Sequence, residues 1–394
     1  MVAREIVPDV YSVGVIDWDR TVFDELMHLA SGTSYNAYVV RGSEKTALID
    51  TADPHFEEAY ISNLVRVGLT SVDYIIVNHA EQDHSGLLPL ALELFPHAKV
   101  VTTEKGRDLC CILHHILPER FVVVGDGDTL SLGNKTLTFL STPWVHWPET
   151  MMTYLEEDKI LFSCDFLGAH IASSDLYADD SCKFWMAARQ YYAEIMQPFR
   201  AKVREHTARV RSLGPAMIAP SHGPVHRSPA GILDAYEEWS SDEVKNFVLI
   251  PYVSMHGSTR EMVDRLVDLL IERGIDVRPY DLGRVEPGAI AYDLIDAATI
   301  ILGAPTMLFG PHPKAAYIAF ITNILKPKAK WIGVIGSYGW GTKTIEDLTG
   351  MLGRVDAELL EPVYIKGKPD EETNIALARL AAEIYKRHAD HSLV

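Results

Sequence analysis

The spacing of apolar and polar positions changes near residue 245. Before that point, short apolar runs broken by turns predict strands at 35–40, 46–49, 74–77, 99–103, 121–124, 136–140, 151–155 and 159–162, with helices at 56–67 and 187–213. After it, strands at 247–252, 277–280, 299–303 and 331–336 alternate regularly with helices at 258–272, 313–325 and 342–352. The polar stretch 240–243 marks the junction between the two patterns.

Two domains of the α/β class follow from this change. Residues 1–245 are predicted to form a sandwich of mixed sheets with helices on the outside. Residues 246–394 are predicted to form a doubly wound parallel sheet. A chain of 394 residues is long enough for a separate hydrophobic core in each domain.

Charge and cysteine content exclude several functional classes. The chain has 36 basic and 54 acidic residues, a formal net charge of −18, which argues against nucleic acid and anionic membranes as partners. The four cysteines, Cys110, Cys111, Cys164 and Cys182, form no C-x-x-C pair, and their scatter favours a reducing compartment. Because no apolar run reaches 18 residues and no secretory leader is visible, we expect a cytoplasmic protein.

The segment 79–84 carries the strongest chemical signal. It reads His-Ala-Glu-Gln-Asp-His directly after an apolar strand, and it supplies four potential metal ligands: His79, Glu81, Asp83 and His84. A strand end holds such a loop rigidly enough for metal binding. A solvated polar loop is the alternative. His146, Asp165 and His222 each follow a later apolar strand, although one of them alone would equally suit a packed histidine or a turn cap.

This order of ligands resembles the metallo-β-lactamase superfamily, whose αββα sandwich carries a binuclear site at one edge. Zinc hydrolases of that superfamily usually have a histidine where this chain has Glu81. The additional oxygen donor favours a harder, redox-active ion such as iron, although donor hardness alone does not exclude zinc.

Three loops of the second domain point to a flavin. Ser254, Met255, His256, Gly257, Ser258 and Thr259 connect the first strand to a helix, and their hydroxyl and N–H groups suit a phosphate; a plain helix cap is the alternative. The other two loops also follow strands, where open α/β sheets bind ligands, and Tyr338 and Trp340 could stack on a planar ring. They comprise Pro305, Thr306, Met307, Leu308, Phe309 and Gly310, and then Ser337, Tyr338, Gly339, Trp340 and Gly341. The three loops resemble those of flavodoxin, and no dinucleotide fingerprint is present, so FMN is the predicted ligand.

The two halves together resemble the flavodiiron proteins, which reduce dioxygen to water, nitric oxide to nitrous oxide, or both. The resemblance implies two irons per chain, one held by His79, Glu81 and His146, the other by Asp83, His84 and His222, with Asp165 as the bridge. It also implies a head-to-tail homodimer, or a dimer of such dimers. Tyr191 and Tyr192 match a tyrosine pair near the family's site, where a hydroxyl could contact the bound gas; core packing is the alternative. Since no rubredoxin-type cysteine pairs are present, electrons are expected from an external donor such as rubredoxin or a reduced soluble deazaflavin.

One departure from the family pattern concerns Asp24, which stands where some members have a histidine after a phenylalanine. His226 lies near the predicted ligand His222 and is a candidate for supporting it. Two other functions remain open at this point. One is a zinc hydrolase with an appended flavodoxin-like domain, and the other is an electron carrier whose first domain is structural.

Overall fold

A computed structural model describes residues 3–285 and 287–394. The chain divides into two compact units, Met1–Ser240 and Ser241–Val394. Among the described residues, no helix combines the length and the apolar character required to cross a membrane.

The first unit is built on two sheets. Its strands are β1 (Arg4–Val7), β2 (Val10–Ser12), β3 (Val15–Asp17), β4 (Val22–Phe23), β5 (Met27–His28), β6 (Thr33–Tyr35), β7 (Tyr38–Arg41), β8 (Thr46–Ile49), β9 (Tyr74–Ile76), β10 (Lys99–Thr102), β11 (Phe121–Val123), β12 (Thr129–Ser131), β13 (Thr136–Ser141), β14 (Met151–Leu155), β15 (Ile160–Cys164) and β16 (Met217–Pro220). One sheet has the order β1-β2-β7-β8-β9-β10-β11, and the other β12-β13-β14-β15-β16. The pairs β3–β6 and β4–β5 form small ribbons.

Helices cover the sheets of this unit. They are α1 (Glu57–Arg66), α2 (Gln82–Ser85), α3 (Leu88–Leu94), α4 (Glu104–His114), α5 (Cys182–Tyr191), α6 (Arg200–Leu213) and α7 (Ala230–Ser240), with short 3₁₀ turns at Pro54–Phe56, Pro118–Arg120 and Gln197–Phe199. Ile49 and Ile76 of the first sheet share a buried cluster with Phe139 and Phe162 of the second, so the two sheets pack face to face. A separate cluster includes Leu48 and Ile75 with Leu64 of α1, so the first sheet carries helices on its outer face.

The helix predicted at 187–213 is not continuous. The structure ends α5 at Tyr191, continues with a π-helical turn at Tyr192–Met196 and a 3₁₀ turn at Gln197–Phe199, and begins α6 at Arg200. Pro198 accounts for the break at the 3₁₀ turn, because proline lacks the N–H that would continue the α-helical ladder. The wider π turn moves the side chains after Tyr191 out of α-helical register.

The second unit is a parallel sheet between two layers of helices. The strands of this sheet are β17 (Lys245–Tyr252), β18 (Asp276–Asp281), β19 (Ala297–Gly303), β22 (Trp331–Tyr338), β23 (Glu358–Leu359) and β24 (Val363–Lys366), while β20 (Thr306–Met307) and β21 (Gly310–Pro311) form a separate antiparallel pair. Its helices are α8 (Ser258–Ile271), α9 (Pro287–Leu294), α10 (Pro313–Leu325), α11 (Thr344–Met351) and α12 (Glu371–Asp390). The order β18-β17-β19-β22-β23, with β24 also on β22, is that of a doubly wound sheet, and it confirms the predicted fold class.

Candidate metal centre and flavin site

The structure brings all seven predicted metal ligands together at one edge of the sandwich. They form two groups, and within each group one potential ligand atom per residue lies within 4.8 Å of the others. The first group is His79, Glu81, His146 and Asp165, and the second is Asp83, His84 and His222.

Strand ends position these residues. His79 follows β9 and leads to Asp83 and His84 on α2. His146 lies in the connection between β13 and β14. Asp165 and His222 follow β15 and β16, which are parallel neighbours, so both side chains reach the same edge.

Asp165 stands between the two groups. Its Oδ2 lies 3.3 Å from the Nε2 of His146 and 3.6 Å from the Nε2 of His79. Its Oδ1 lies 2.9 Å from the Nε2 of His84 and 3.3 Å from the Nε2 of His222. One oxygen therefore faces each group, which is the arrangement a carboxylate needs to bridge two metal ions.

The buried carboxylates fit a cationic ligand. Both carboxylate oxygens of Asp83 and both of Asp165 are buried without a hydrogen-bond partner among the described residues. A buried anion of this kind is costly unless a positive charge compensates it. Since four imidazoles and three carboxylates surround the site, a pair of divalent ions with nitrogen and oxygen ligands fits the donor set.

Mutual attraction dominates the electrostatics of the cluster. Burial alone would raise the pKa of Asp165, but His84, His146 and His222 hold it well below its usual value. Burial likewise opposes protonation of His146 and His222, yet the close negative charges of Asp165 and the neighbouring carboxylates raise the pKa to about 9 for His146 and about 10 for His222. A metal ion would displace these protons, so metal binding at this site releases protons.

Hydrogen bonds from Nδ1 orient two of the histidine ligands. His79 donates from Nδ1 to the Glu149 Oε1 at 2.6 Å, and His222 donates from Nδ1 to the Ser34 carbonyl oxygen at 2.7 Å. Each contact fixes the tautomer that leaves Nε2 available to a metal. Sequence analysis missed Glu149, although it stands only three residues after His146.

A buried polar cluster also supports the loop after β9. Asp50 accepts hydrogen bonds from the backbone N–H of Asn78 at 2.8 Å and from its Nδ2 at 2.9 Å. Burial raises the pKa of Asp50 to about 6. Asn78 immediately precedes His79, so Asp50 helps to fix the start of the ligand loop.

The predicted tyrosine pair divides between two environments. The Tyr191 ring lies 6.0 Å from that of His222, and its buried hydroxyl has no hydrogen-bond partner among the described residues. Tyr192 instead packs its ring against Tyr236 and Trp239, at 5.3 and 5.4 Å. Tyr191 thus reaches the cluster.

His170 also lies beside His222 and Tyr191, and sequence analysis did not single it out. Its ring lies 4.7 Å from the ring of His222 and 4.9 Å from that of Tyr191. Its Nδ1 pairs with the Thr33 hydroxyl at 2.9 Å. No sequence spacing links position 170 to the ligands, because a loop without regular structure carries it to the site.

Asp24 and His226 differ in their relation to the cluster. Partial burial of the Asp24 carboxyl, together with the charges of Glu81 and Asp83, raises its pKa, which shows that it lies within electrostatic reach of the ligands. His226 faces the core, where its Nε2 donates to the Leu167 carbonyl oxygen at 3.0 Å.

The three predicted flavin loops meet around one cavity of about 250 Å³ in the second unit. Of the predicted residues, those lining it are Ser254, Met255, His256, Ser258, Thr259, Pro305, Thr306, Ser337, Tyr338 and Gly339. Gly367 and Lys368, which sequence analysis missed, complete the lining. Both residues follow the end of β24, so they could have been found only if this strand had been predicted, and the sequence analysis did not predict it.

Other predicted residues lie on the same loops without lining the cavity: Gly257, Met307, Leu308, Phe309, Gly310, Trp340 and Gly341. Several of these are apolar and exposed, with Leu308 at 81% and Trp340 at 65%. The Phe309 and Trp340 rings meet edge to face at 4.2 Å. Met255 and Met307 are also exposed, so the loops that line the cavity carry an exposed apolar rim.

The cavity suits FMN. The Thr259 hydroxyl is buried at the start of α8 without a hydrogen-bond partner among the described residues, and a phosphate oxygen would satisfy it. Ser254 Oγ accepts from the backbone N–H groups of Gly257 and Arg260, which fixes the loop. At Gly336 of β22, a Cβ would meet the Ala304 carbonyl oxygen at 1.9 Å, so only glycine lets this strand and the segment after β19 approach so closely.

Fold and site together define a two-domain α/β metalloprotein with a metallo-β-lactamase-like unit and a flavodoxin-like unit. Residues 33–223 match a family model described as ODP family beta lactamase. Coenzyme F420H₂ oxidase from Methanothermobacter marburgensis is 37% identical over 406 aligned positions, covering 97% of this chain and 98% of the relative. The anaerobic nitric oxide reductase flavorubredoxin from Aliivibrio salmonicida is 36% identical, covering 91% of this chain and 74% of the relative.

Among solved structures, rubredoxin oxygen:oxidoreductase from Desulfovibrio gigas superimposes with a TM-score of 0.95 and 29% identity, covering 100% of both chains. The extent of these similarities, over nearly the whole chain, identifies the family. The chain belongs to the flavodiiron proteins.

Proposed function

We propose that this protein is an FMN- and di-iron-dependent oxidoreductase that reduces dioxygen to water, nitric oxide to nitrous oxide, or both. The observation that carries the proposal is Asp165, which presents one oxygen to each of two histidine–carboxylate groups. The cavity lined by the three predicted flavin loops of the same chain would hold an electron carrier, which gas reduction requires and hydrolysis does not.

The chain's own residues would divide the chemistry as follows. His79, Glu81 and His146 would hold one iron, Asp83, His84 and His222 the other, and Asp165 would bridge them. An iron pair held there would supply the redox chemistry of gas reduction, and FMN held in the cavity of the second unit would supply conversion between two-electron and one-electron transfer. Glu149 and Ser34 fix the orientation of two ligand imidazoles, and Tyr191 places a protonated hydroxyl beside His222.

The high pKa of Tyr191 supports a role as a hydrogen-bond donor. Burial first, and then the charge of Asp165, raises it well above 10, so the hydroxyl keeps its proton at neutral pH. A donor of this kind stabilises negative charge that develops on a bound oxygen atom. For Tyr192, its packing against Tyr236 and Trp239 favours a structural role.

Metal analysis separates this proposal from the zinc hydrolase alternative. We expect about two irons and one FMN per chain after expression with iron available. Two zinc ions and no iron would defeat the reductase proposal. Substituting Glu81 by alanine tests the alternative of a pure electron carrier, since we expect it to abolish gas reduction with FMN still bound, whereas a carrier would be unaffected.

The proposal extends to the identity of the electron donor and to the oligomeric state. We propose a reduced deazaflavin or a rubredoxin as donor, because one similar protein is a coenzyme F420H₂ oxidase and another is a rubredoxin oxygen:oxidoreductase. The apolar rim formed by Met255, Met307, Leu308, Phe309 and Trp340 supports a head-to-tail dimer, or a dimer of such dimers, in which a second copy covers each flavin cavity. Steady-state turnover with each gas and each donor in turn tests substrate and donor, and sedimentation tests the assembly. A monomer in sedimentation would refute the dimer.

The boundary at residue 245 and the cytoplasmic location remain predictions. Four free cysteines among the described residues support a reducing compartment. Limited proteolysis, with cleavage expected near residues 240–246, tests the boundary. Fractionation of the source cells tests the location.

A further inference from the structure

A second cavity lies beside the metal cluster, with a volume of about 350 Å³. One part of its wall is formed by His170 and Tyr191, whose rings contact that of the metal ligand His222 at 4.7 and 6.0 Å. Another part is formed by Gln190 and Glu194. The cavity is therefore adjacent to residues of the metal site without containing any predicted ligand.

Glu194 is the unusual group in this cavity. Its Oε1 accepts a hydrogen bond from the Gln190 Nε2 at 3.1 Å, whereas its Oε2 is buried with no hydrogen-bond partner among the described residues. Burial raises the pKa of this carboxyl to about 7. The group can therefore bind and release a proton under physiological conditions, as a proton-exchanging residue must.

The cavity lining offers two further polar atoms without hydrogen-bond partners among the described residues, the Tyr191 hydroxyl and the His170 Nε2. At about 30 Å³ per water molecule, the cavity has room for several waters, and its polar groups can hold them. Waters can thus connect the Glu194 carboxyl to the groups that adjoin the metal ligands.

The reactions of the proposed function consume protons that the site must obtain from solvent. Reduction of one dioxygen to two waters takes up four electrons and four protons. Reduction of two nitric oxides to nitrous oxide and one water takes up two of each. In the proposed function FMN would supply the electrons, but the protons need a separate route to a buried site.

We propose that this cavity is the proton-entry route of the enzyme and that Glu194 is its proton-exchanging residue. In each step the Glu194 O–H bond breaks, the proton moves along cavity waters held by the Tyr191 hydroxyl and the His170 Nε2 to the gas that is being reduced, and solvent then returns a proton to Glu194. The inference rests on the proposed function. Glu194 acts through the cavity waters and does not itself touch the gas, so it is a positioning residue and not a catalytic one.

Glu194→Gln tests the inference, because glutamine keeps the size and hydrogen-bonding capacity of the side chain but cannot exchange a proton. We expect kcat with saturating gas to fall by about tenfold or more, with a larger solvent deuterium isotope effect and an unchanged KM for the gas. Iron and FMN per chain should match the parent protein. Glu205→Gln, at an exposed position paired with Lys202, is the matched control and should change none of these quantities.

Two further measurements separate proton transfer from a structural role. Formate should restore turnover to Glu194→Ala but have no effect on Glu205→Ala, since a small acid can replace the missing proton carrier. Infrared titration of the full-length protein should show a carboxylic acid band that titrates near neutral pH and is absent from Glu194→Gln. The other titratable groups lining the cavity, Lys183, His170 and Tyr191, do not give such a band.

If Glu194→Gln loses iron, Ala187→Phe provides the decisive variant, because it fills the cavity with the carboxyl intact. The same fall in kcat and rise in isotope effect are then expected. Parent-like kcat and isotope effect in Glu194→Gln, or in Ala187→Phe where the first variant loses iron, would overturn the inference. Absence of gas reduction by the parent protein would instead refute the proposed function.

Discussion

Glu149 and His79 form a fully buried pair in which the Glu149 Oε1 lies 2.6 Å from the His79 Nδ1. The same oxygen accepts the backbone N–H of Ala80 at 3.1 Å, so the carboxylate is itself held in place. Burial opposes the ionised carboxylate, but the hydrogen bond from His79 outweighs it and lowers the pKa of Glu149. The pair presents the His79 Nε2 to the metal cluster in one orientation and one tautomer.

Glu149→Ala should therefore weaken metal binding without removing a ligand. We expect about a 10- to 100-fold loss of iron affinity, the usual effect of removing such a partner from a ligating histidine. Competition with a chelator, followed by iron analysis, measures the affinity. Glu93→Ala, at an exposed position on α3, is the control. Equal iron affinity in both variants would show that Glu149 does not orient His79.

Asp165 and Glu81 should differ in the number of metal ions that depend on them. Glu81 belongs to one group of ligands, whereas Asp165 faces histidines of both groups. We expect Glu81→Gln to retain about one iron per chain and Asp165→Asn to retain fewer, with FMN bound in both. Iron analysis and flavin absorbance provide the measurement, and the exposed Asp175→Asn is the control. Two irons in Asp165→Asn would exclude Asp165 as a bridge.

Residues that follow strands could be located from the sequence, whereas residues that support them could not. His79, Asp165 and His222 each come within a few residues of the end of a buried apolar run, and the parallel ends of such strands meet at one edge. Glu149 and His170 lie in connections where no periodicity constrains the backbone, so only the folded chain reveals their contacts.

The predicted helix at 187–213 failed for a related reason. Its apolar spacing continued across a π turn and across Pro198, and spacing alone does not report where backbone hydrogen bonds change partner. This break also determines where Glu194 lies, since Glu194 belongs to the π turn that follows Tyr191. The residues that line this cavity therefore could not be predicted from the sequence, because their positions depend on the π turn.

Thr259→Val should weaken FMN binding and leave iron content unchanged. Its buried hydroxyl lacks a hydrogen-bond partner among the described residues, so a bound phosphate would receive a hydrogen bond that valine cannot supply. A hydrogen bond to a charged group contributes roughly 1.5–3 kcal/mol, which corresponds to an increase in the Kd for FMN of about tenfold or more. Quenching of flavin fluorescence measures the Kd. Thr349→Val on α11 is the control, since its hydroxyl donates to the Ile345 carbonyl oxygen. An unchanged Kd in Thr259→Val would remove Thr259 from the phosphate site.

His226 should make the stability of the first unit depend on pH. Burial lowers the pKa of this histidine to about 4, against 6.5 for the ordinary side chain, so the folded protein holds it neutral. Between these values the unfolded chain binds more protons than the folded one, and the free energy of unfolding falls as pH decreases through this window. The difference of about 2.5 pH units corresponds to roughly 3 kcal/mol, reached fully below pH 4.

His226→Gln keeps a donor for the Leu167 carbonyl oxygen but cannot take up the proton. Relative to the parent protein, the variant should gain stability by up to roughly 3 kcal/mol between pH 7 and pH 4, whatever its stability at pH 7. Denaturant unfolding of the full chain at several pH values measures this difference. Acid loss of metal affects both proteins alike and cancels from the comparison. His97→Gln, at an exposed position, is the control, and the difference between its free energy of unfolding and that of the parent protein should not change with pH. If the difference between His226→Gln and the parent protein is also the same at every pH, His226 is not the group that causes this pH dependence.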